Sequence, residues 1–289
     1  MKIGIFSPVV VHHPASASAW EAEAGIAELA DIASAADELG FNHLTCSEHV
    51  AIPTDVAAER GGTYWDPLAT FGFLAARTRR IRFATQVLVL GYHHPLDIAK
   101  RYGTLDTVSG GRLILGVGVG SLQEEFELIG AQFDGRGAVA DDAMRALRAS
   151  LGRTAPEYSG THFSYRDWFV KPAAVQEHVP MWVGGRTPRS LRRAAELGDG
   201  WVPFGLPHSR LSELLARHEL PDGFDVVLSA EHAVDPADEP DRCRAALEST
   251  RDAGATVATV TIAARSAAHY LEQLAALAER AREVGAQLG

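Results

Sequence analysis

RFATQVLVLGYHHPLDIAKRYGTLDTVSGGRLILGVGVGS, residues 82–121, decides how the chain folds. It reads as a strand, a helix opened by Pro95, a Gly110–Gly111 loop and a second strand studded with glycine. Proline suits a first helical position, because the N–H it lacks would be unpaired there anyway. Leu96, Ala99, Tyr102, Leu105 and Val108 then follow the helical period. In a strand, successive side chains point to opposite faces. Gly116, Gly118 and Gly120 therefore share one face, and Val117 and Val119 the other. Two readings of that bare face stay open. It is a missing column inside a barrel, leaving room for a flat ligand near the strand's C-terminal end, or a place where a neighbouring backbone comes close.

The same alternation runs from end to end. KIGIF (2–6), HLTCSEH (43–49), IRFATQVLVL (81–90), LILGVGV (113–119), MWVGG (181–185), GWVPF (200–204), FDVVLSAEHAV (224–234) and ATVATVTIA (255–263) read as strands. Helices are expected over about 20–39, 67–77, 141–151, 188–197, 209–218, 240–252 and 267–284, besides the one begun at Pro95. Strands each followed by a helix predict an α/β chain, a single (β/α)8 TIM barrel over residues 1–289. The irregular stretch at about 121–179 is expected as an insertion between strands four and five. Its aromatics, Tyr158, Phe163, Tyr165, Trp168 and Phe169, form either a lid over substrate or, as favoured here, a satellite core. A doubly wound sheet would need a topological switch point, which the even spacing does not suggest.

Composition narrows the function. The chain has 289 residues, 46% of them hydrophobic, so a large core can be buried. The formal net charge is -10 with no basic run, which argues against nucleic acid or an anionic membrane as partner. No stretch approaches the ~20 apolar residues of a membrane span. MKIGIFSPVVVHHPASASAW has the outline of a short signal peptide. Ser7 and Pro8 interrupt its apolar run, however, and a first barrel strand explains it better. The two cysteines, Cys46 and Cys243, cannot build a disulfide framework, which fits a reducing, cytoplasmic setting. Cys46 is expected as a small core residue.

Three chemistries find little support. His12, His13, His49, His93 and His94 do not form a spaced ligand set, so a metal centre is not expected. A Schiff-base barrel needs a lysine at a strand end, and Lys2, Lys100 and Lys171 are not so placed. A GxSxG nucleophile elbow is missing. Glu48 and His49 are adjacent at the end of strand two, where barrels commonly place functional groups. They are read as an acid and a proton-handling imidazole, or as a rim salt bridge. WVGGRTPRS ends a strand and opens a helix. It is either a phosphate cradle or an ordinary turn with Thr187 capping before Pro188.

The motifs SEHV, TQVLVLGYHHP, TLDTVSGGRLILGVGVGSLQEEFELIG and MWVGGRTPRSLRRAAELGDGW, in this order over residues 1–204, resemble the bacterial luciferase-like superfamily. The similarity is closest to its branch using the deazaflavin coenzyme F420. The resemblance implies an oxidoreductase moving a hydride between F420 and an unidentified small organic substrate. A flavin mononucleotide (FMN) monooxygenase and a non-catalytic flavin- or deazaflavin-binding protein are the alternatives. It implies a cofactor across the C-terminal ends of the strands, touching Gln86, Val87, Leu88, Gly118 and Gly120. Gly184, Gly185 and Arg186 would hold its phosphate, Val183 would line the cofactor site beside them, and Glu48 and His49 would lie near the reactive ring. It further implies a cis peptide at Gln86–Val87 and a homodimer. Ser121 stands where many relatives carry an acidic or aromatic residue, so no acid is expected there.

Overall fold

The computed structural model describes residues 1–14 and 17–289, so the small-residue run at 15–17 lies largely outside the described residues. The first strands are β1 (Lys2–Ile5), β2 (His43–Cys46), β3 (Arg82–Thr85), its short continuation β4 (Leu88–Val89), and β5 (Leu113–Gly118). A two-stranded antiparallel hairpin, β6 (Tyr158–Ser159) and β7 (Ser164–Tyr165), follows. The remaining strands are β8 (Met181–Gly184), β9 (Gly200–Val202), β10 (Asp225–Ser229) and β11 (Val257–Val260). The helices are α1 (Ile26–Leu39), α2 (Ala57–Arg60), α3 (Pro67–Ala75), α4 (Pro95–Ser109), α5 (Gln123–Leu128), α6 (Arg136–Ser150), α7 (Pro188–Leu197), α8 (His208–Leu215), α9 (Pro240–Asp252) and α10 (Ala267–Glu283).

The strands close on themselves. Parallel pairing runs β3–β2–β1–β11–β10–β9–β8–β5–β4, and β3 also pairs with β5. With β3 and β4 counted as one interrupted stave, this is an eight-stave parallel barrel with helices between the staves, a TIM barrel. Residues on the outward faces, such as Ile3, Leu44, Phe83, Leu115 and Trp201, join the helices in one apolar core. The lumen holds a second, smaller cluster of Ala84, Ile114, Trp182, Val202, Val227 and Val257, with Val87 packed on it. His43 is fully buried beside this cluster, its Nε2 3.1 Å from Thr259 Oγ1. Burial, with the charges of Arg82 and Lys2, pushes the His43 imidazole down to about 3, so it sits there neutral.

The glycine face of β5 is the lumen face, but it is not an empty column. A Cβ on Gly116 would fall 1.8 Å from the Thr85 carbonyl oxygen. One on Gly118 would fall 2.6 Å from Val87 Cγ2, and one on Gly184 2.8 Å from Val87 Cγ1. The interrupted third stave takes the space, with Thr85 backbone at Gly116 and the Val87 side chain at Gly118 and Gly184. The Gln86–Val87 peptide is cis and lies in that interruption.

Strand ends are shorter than the alternation suggested. Ladder pairing stops at Cys46 and Gly118, and the residues beyond are loop. The expected helix from Trp20 begins only at Ile26, after a 3-10 turn at Ala19–Ala22. Glu21 turns inward there, accepting from the Val9 and Ser18 amides, and Gly25 breaks the helical run. In the insertion, Tyr158 donates to Asp142 and Tyr165 meets Ser150 Oγ at 2.6 Å, both on α6. Phe163 packs against the core, whereas Trp168 and Phe169 stay on the surface. Both cysteines are buried. Among the described residues no helix is long and apolar enough to cross a membrane.

Candidate active site

The C-terminal rim of β2 turns outward as Ser47, Glu48 and His49. Their side chains diverge, so the adjacent Glu48–His49 pair of the sequence becomes two separate carboxylate–histidine pairs. Glu48 Oε2 accepts from the Val89 amide at 2.7 Å, and Oε1 lies 2.6 Å from His93 Nε2. Both Glu48 oxygens are thus engaged in bracing β4 and the turn after it. His93 Nδ1 faces Asp97 at 3.5 Å.

His49 faces the other way. Its Nδ1 lies 2.7 Å from Oε2 of Glu125, on α5 of the insertion. Tyr92 donates its hydroxyl to the same oxygen at 2.7 Å. Glu125 Oε1 accepts from the backbone amides of Val50 and Ala51. The Glu125 side chain is 0% exposed and the His49 side chain 20%. Burial pushes the Glu125 carboxyl up, but hydrogen bonds from His49, Tyr92 and Val50 and the charge of His49 outweigh it, leaving it below the usual 4.5. Burial and the Glu125 carboxylate push the Tyr92 phenol far up, so it stays protonated. Tyr64 presents its ring to His49 edge-on, with centroids 4.5 Å apart.

Glu125 is the functional candidate that sequence reading missed, although EEF was on view. Leu122, Glu125 and Phe126 are buried while Gln123, Glu124 and Glu127 are exposed. A carboxylate on the apolar face of a short helix was the available signal.

Across the mouth, the remaining residues named from sequence gather around the interrupted stave. Gln86 and Val87 are half-buried, Leu88 is buried against the core, and Gly118 lies under Val87. Ser47 Oγ donates to the Gln86 carbonyl at 2.6 Å, which ties the β2 rim to that stave. Gly120 has φ +79°, and its carbonyl accepts from Arg136 Nε at 3.0 Å. Val183 and Gly184 are buried at the end of β8, whereas Gly185 is half-exposed and Arg186 exposed. Arg186 lies 5.7 Å over the exposed Phe204 ring.

The turn into α7 carries a reciprocal cap. Thr187 Oγ1 accepts from the Ser190 amide at 3.2 Å, and Ser190 Oγ accepts from the Thr187 amide at 3.1 Å. Pro188 has no N–H, so the amides of Arg186 and Arg189 lie outside that exchange. Gly185 itself is fixed by the turn: φ is +134°, and a Cβ would fall 2.6 Å from Ser190 Cβ. Arg186, directly after Gly184 and Gly185, is exposed, whereas Arg136 is engaged at the Gly120 carbonyl and Arg189 Nη2 lies 3.4 Å from the Cβ position of Gly137. An exposed guanidinium beside open backbone suits an anionic tail, and half-buried Val87 offers an apolar floor for a flat ring.

Known proteins share this frame. The solved structure of monooxygenase RslO1 from Streptomyces bottropensis superposes with a TM-score of 0.79 at 23% identity, covering 99% of this chain and 100% of that one. The oxygenating constituent of 3,6-diketocamphane monooxygenase from Pseudomonas putida, in complex with FMN, gives 0.68 at 15% identity, covering 97% of each chain. These two likenesses show the fold. In sequence, the F420-dependent glucose-6-phosphate dehydrogenase of Microbacterium testaceum is 29% identical over 179 residues. That alignment takes in 61% of this chain and 52% of that enzyme. Residues 1–219 match the family described as luciferase-like monooxygenase, which takes in every side chain of the rim described above. By that match and that fold, the chain belongs to the luciferase-like monooxygenase family, whose members are oxidoreductases and monooxygenases using F420 or a flavin.

Proposed function

We propose that the chain is an F420-dependent oxidoreductase that exchanges a hydride between the deazaflavin and a small organic substrate. The observation that carries this reading is the rim of β8. A chain of net charge -10 places exposed Arg186 directly after the side-chain-free Gly184–Gly185 pair, at the turn into α7. That donor set fits an acidic, phosphate-bearing tail, and Val87 fits a ring laid across the lumen's filled end. When bound, the cofactor supplies the hydride chemistry. The chain binds and orients it, and His49 takes or returns the accompanying proton from the open side of the mouth. Glu48, with both oxygens engaged, braces the β4 segment. The overall motif set favours F420 over FMN, and the same resemblance makes a homodimer the expected assembly. A flavin-dependent monooxygenase is the second reading, favoured by the two structural neighbours named above.

Adding F420 and FMN separately to the purified chain and following fluorescence quenching tests the cofactor. F420 should be quenched and FMN should not. Tight FMN binding with none for F420 would reverse the assignment. Stopped-flow oxidation of bound reduced F420 across a substrate panel then tests catalysis, because a mere binder would hold the cofactor without accelerated hydride loss.

A further inference from the structure

We propose that Glu125 is a positioning residue that makes Nε2 the one nitrogen of His49 through which a proton enters or leaves. This rests on the reading of His49 as the proton-handling group. The geometry leaves little choice. Both Glu125 oxygens face donors: backbone amides of Val50 and Ala51 on Oε1, and Tyr92 OH and His49 Nδ1 on Oε2. On Oε1 a carboxyl proton would face two backbone N–H groups that can only donate, and the four hydrogen bonds with the charge of His49 hold the carboxyl below its usual value, so the group is a carboxylate at neutral pH. A carboxylate only accepts, and so Nδ1 must carry a proton in the neutral and the cationic ring alike. Among the described residues no protein atom pairs with Nε2. Tyr64 fixes the ring plane from one side. His93 cannot serve equally, because Glu48 and Asp97 face its two nitrogens.

The same geometry predicts an inversion. In Glu125→Gln, the amide oxygen must stay with the Val50 and Ala51 amides, which cannot reverse their role. The new NH2 then faces His49 and Tyr92, both of which can accept. The imidazole responds by moving its proton from Nδ1 to Nε2. A group that offered a lone pair to the mouth becomes one that offers a proton.

Long-range 1H–15N NMR of the purified, cofactor-free chain reads this directly, with the His49 signals assigned by their loss in His49→Asn. The wild type should show a pyridine-type Nε2 and a pyrrole-type Nδ1. Glu125→Gln should exchange the two, whereas Glu125→Asp and Tyr92→Phe should keep the wild-type pattern. A protonated Nε2 in the neutral wild-type ring, or a Gln variant indistinguishable from wild type, would overturn the proposal. If Glu125→Gln does not fold, the wild-type and Glu125→Asp spectra still decide it. The chain is studied alone, so a wrong cofactor assignment would leave these spectra unchanged.

Discussion

Gly116 shows what one atom decides. Its missing Cβ admits the Thr85 carbonyl, and Thr85 Oγ1 in turn donates to the Gly116 carbonyl at 2.7 Å. Gly116→Ala should therefore destabilise the chain by about 3 kcal/mol or more, the upper end for overpacking, since the neighbour is backbone and cannot turn away. Gly72, inside α3, has nothing within 4 Å of its Cβ position. Gly72→Ala should stabilise by about 0.5–1 kcal/mol through lost unfolded-state freedom. Urea midpoints of the two variants test this, and a Gly116→Ala midpoint matching wild type would mean the staves do not meet as described. The alternation put Gly116 and Gly118 on one face, as found, but did not extend to Gly120, which lies past β5 with φ +79°. It could not say what fills the face, because the filler comes from Thr85 and Val87, about thirty residues earlier and placed only when the barrel closes. Glu125 was hidden for the same reason. Its partners stand at residues 49–51 and 92, and no local pattern announces a contact across that gap.

At the level of elements, legibility followed periodicity. The strands that were read all contain ladder pairing, and the helices opened by Pro67, Pro95, Pro188 and Pro240 start at those prolines. What ran long were strand ends such as SEH after β2, where polar residues follow the apolar strand and ladder pairing has ended at the rim. Those overruns are where the candidate chemistry sits. The β8–α7 turn held both readings of WVGGRTPRS, and two variants separate them. Thr187→Ala removes a side chain that accepts from the Ser190 amide, and should cost about 1 kcal/mol of stability. Arg186 is exposed and its described contact is a ring, so Arg186→Ala should leave the thermal midpoint unchanged while weakening cofactor binding and flattening its salt dependence. A loss of stability without a loss of affinity in Arg186→Ala would make this turn purely structural. Gly185→Val cannot make the distinction, because it strains the backbone and meets Ser190 whether or not a phosphate binds there.

Over the whole molecule, an apolar barrel is pinned at its edges by a few carboxylates that each accept from several donors. Asp37 at the end of α1 takes the amides of Arg79, Arg80 and Ile81, fixing the approach to β3. Asp142 on α6 takes those of His162 and Phe163, holding the β6–β7 hairpin. Asp199 before β9 takes the Met181 amide and meets Arg148 and His178, and Glu125 joins the insertion to the β2 rim. In each, burial pushes the carboxyl up, but hydrogen bonds, joined by neighbouring charge at Asp37, Asp199 and Glu125, outweigh it and hold the group below its ordinary value of 3.8 for aspartate or 4.5 for glutamate. A depressed folded value means the unfolded chain binds the proton first. The stabilisation is therefore complete above the ordinary values and drains away as pH falls through the lowered ones. Urea midpoints should begin to fall below about pH 6.5, where an unfolded His43 would take up the proton that its buried, neutral ring refuses, and drop more steeply below about 4.5 as the carboxylates add theirs. Asp37→Asn, which keeps the shape but, with its oxygen left to the Arg80 and Ile81 amides, sets an NH2 against the Arg79 amide, should lower the midpoint at pH 7 and make the acid drop shallower, since one proton-linked group is gone. A variant that is weaker at pH 7 yet falls as steeply as wild type would place the acid sensitivity elsewhere than in these pins.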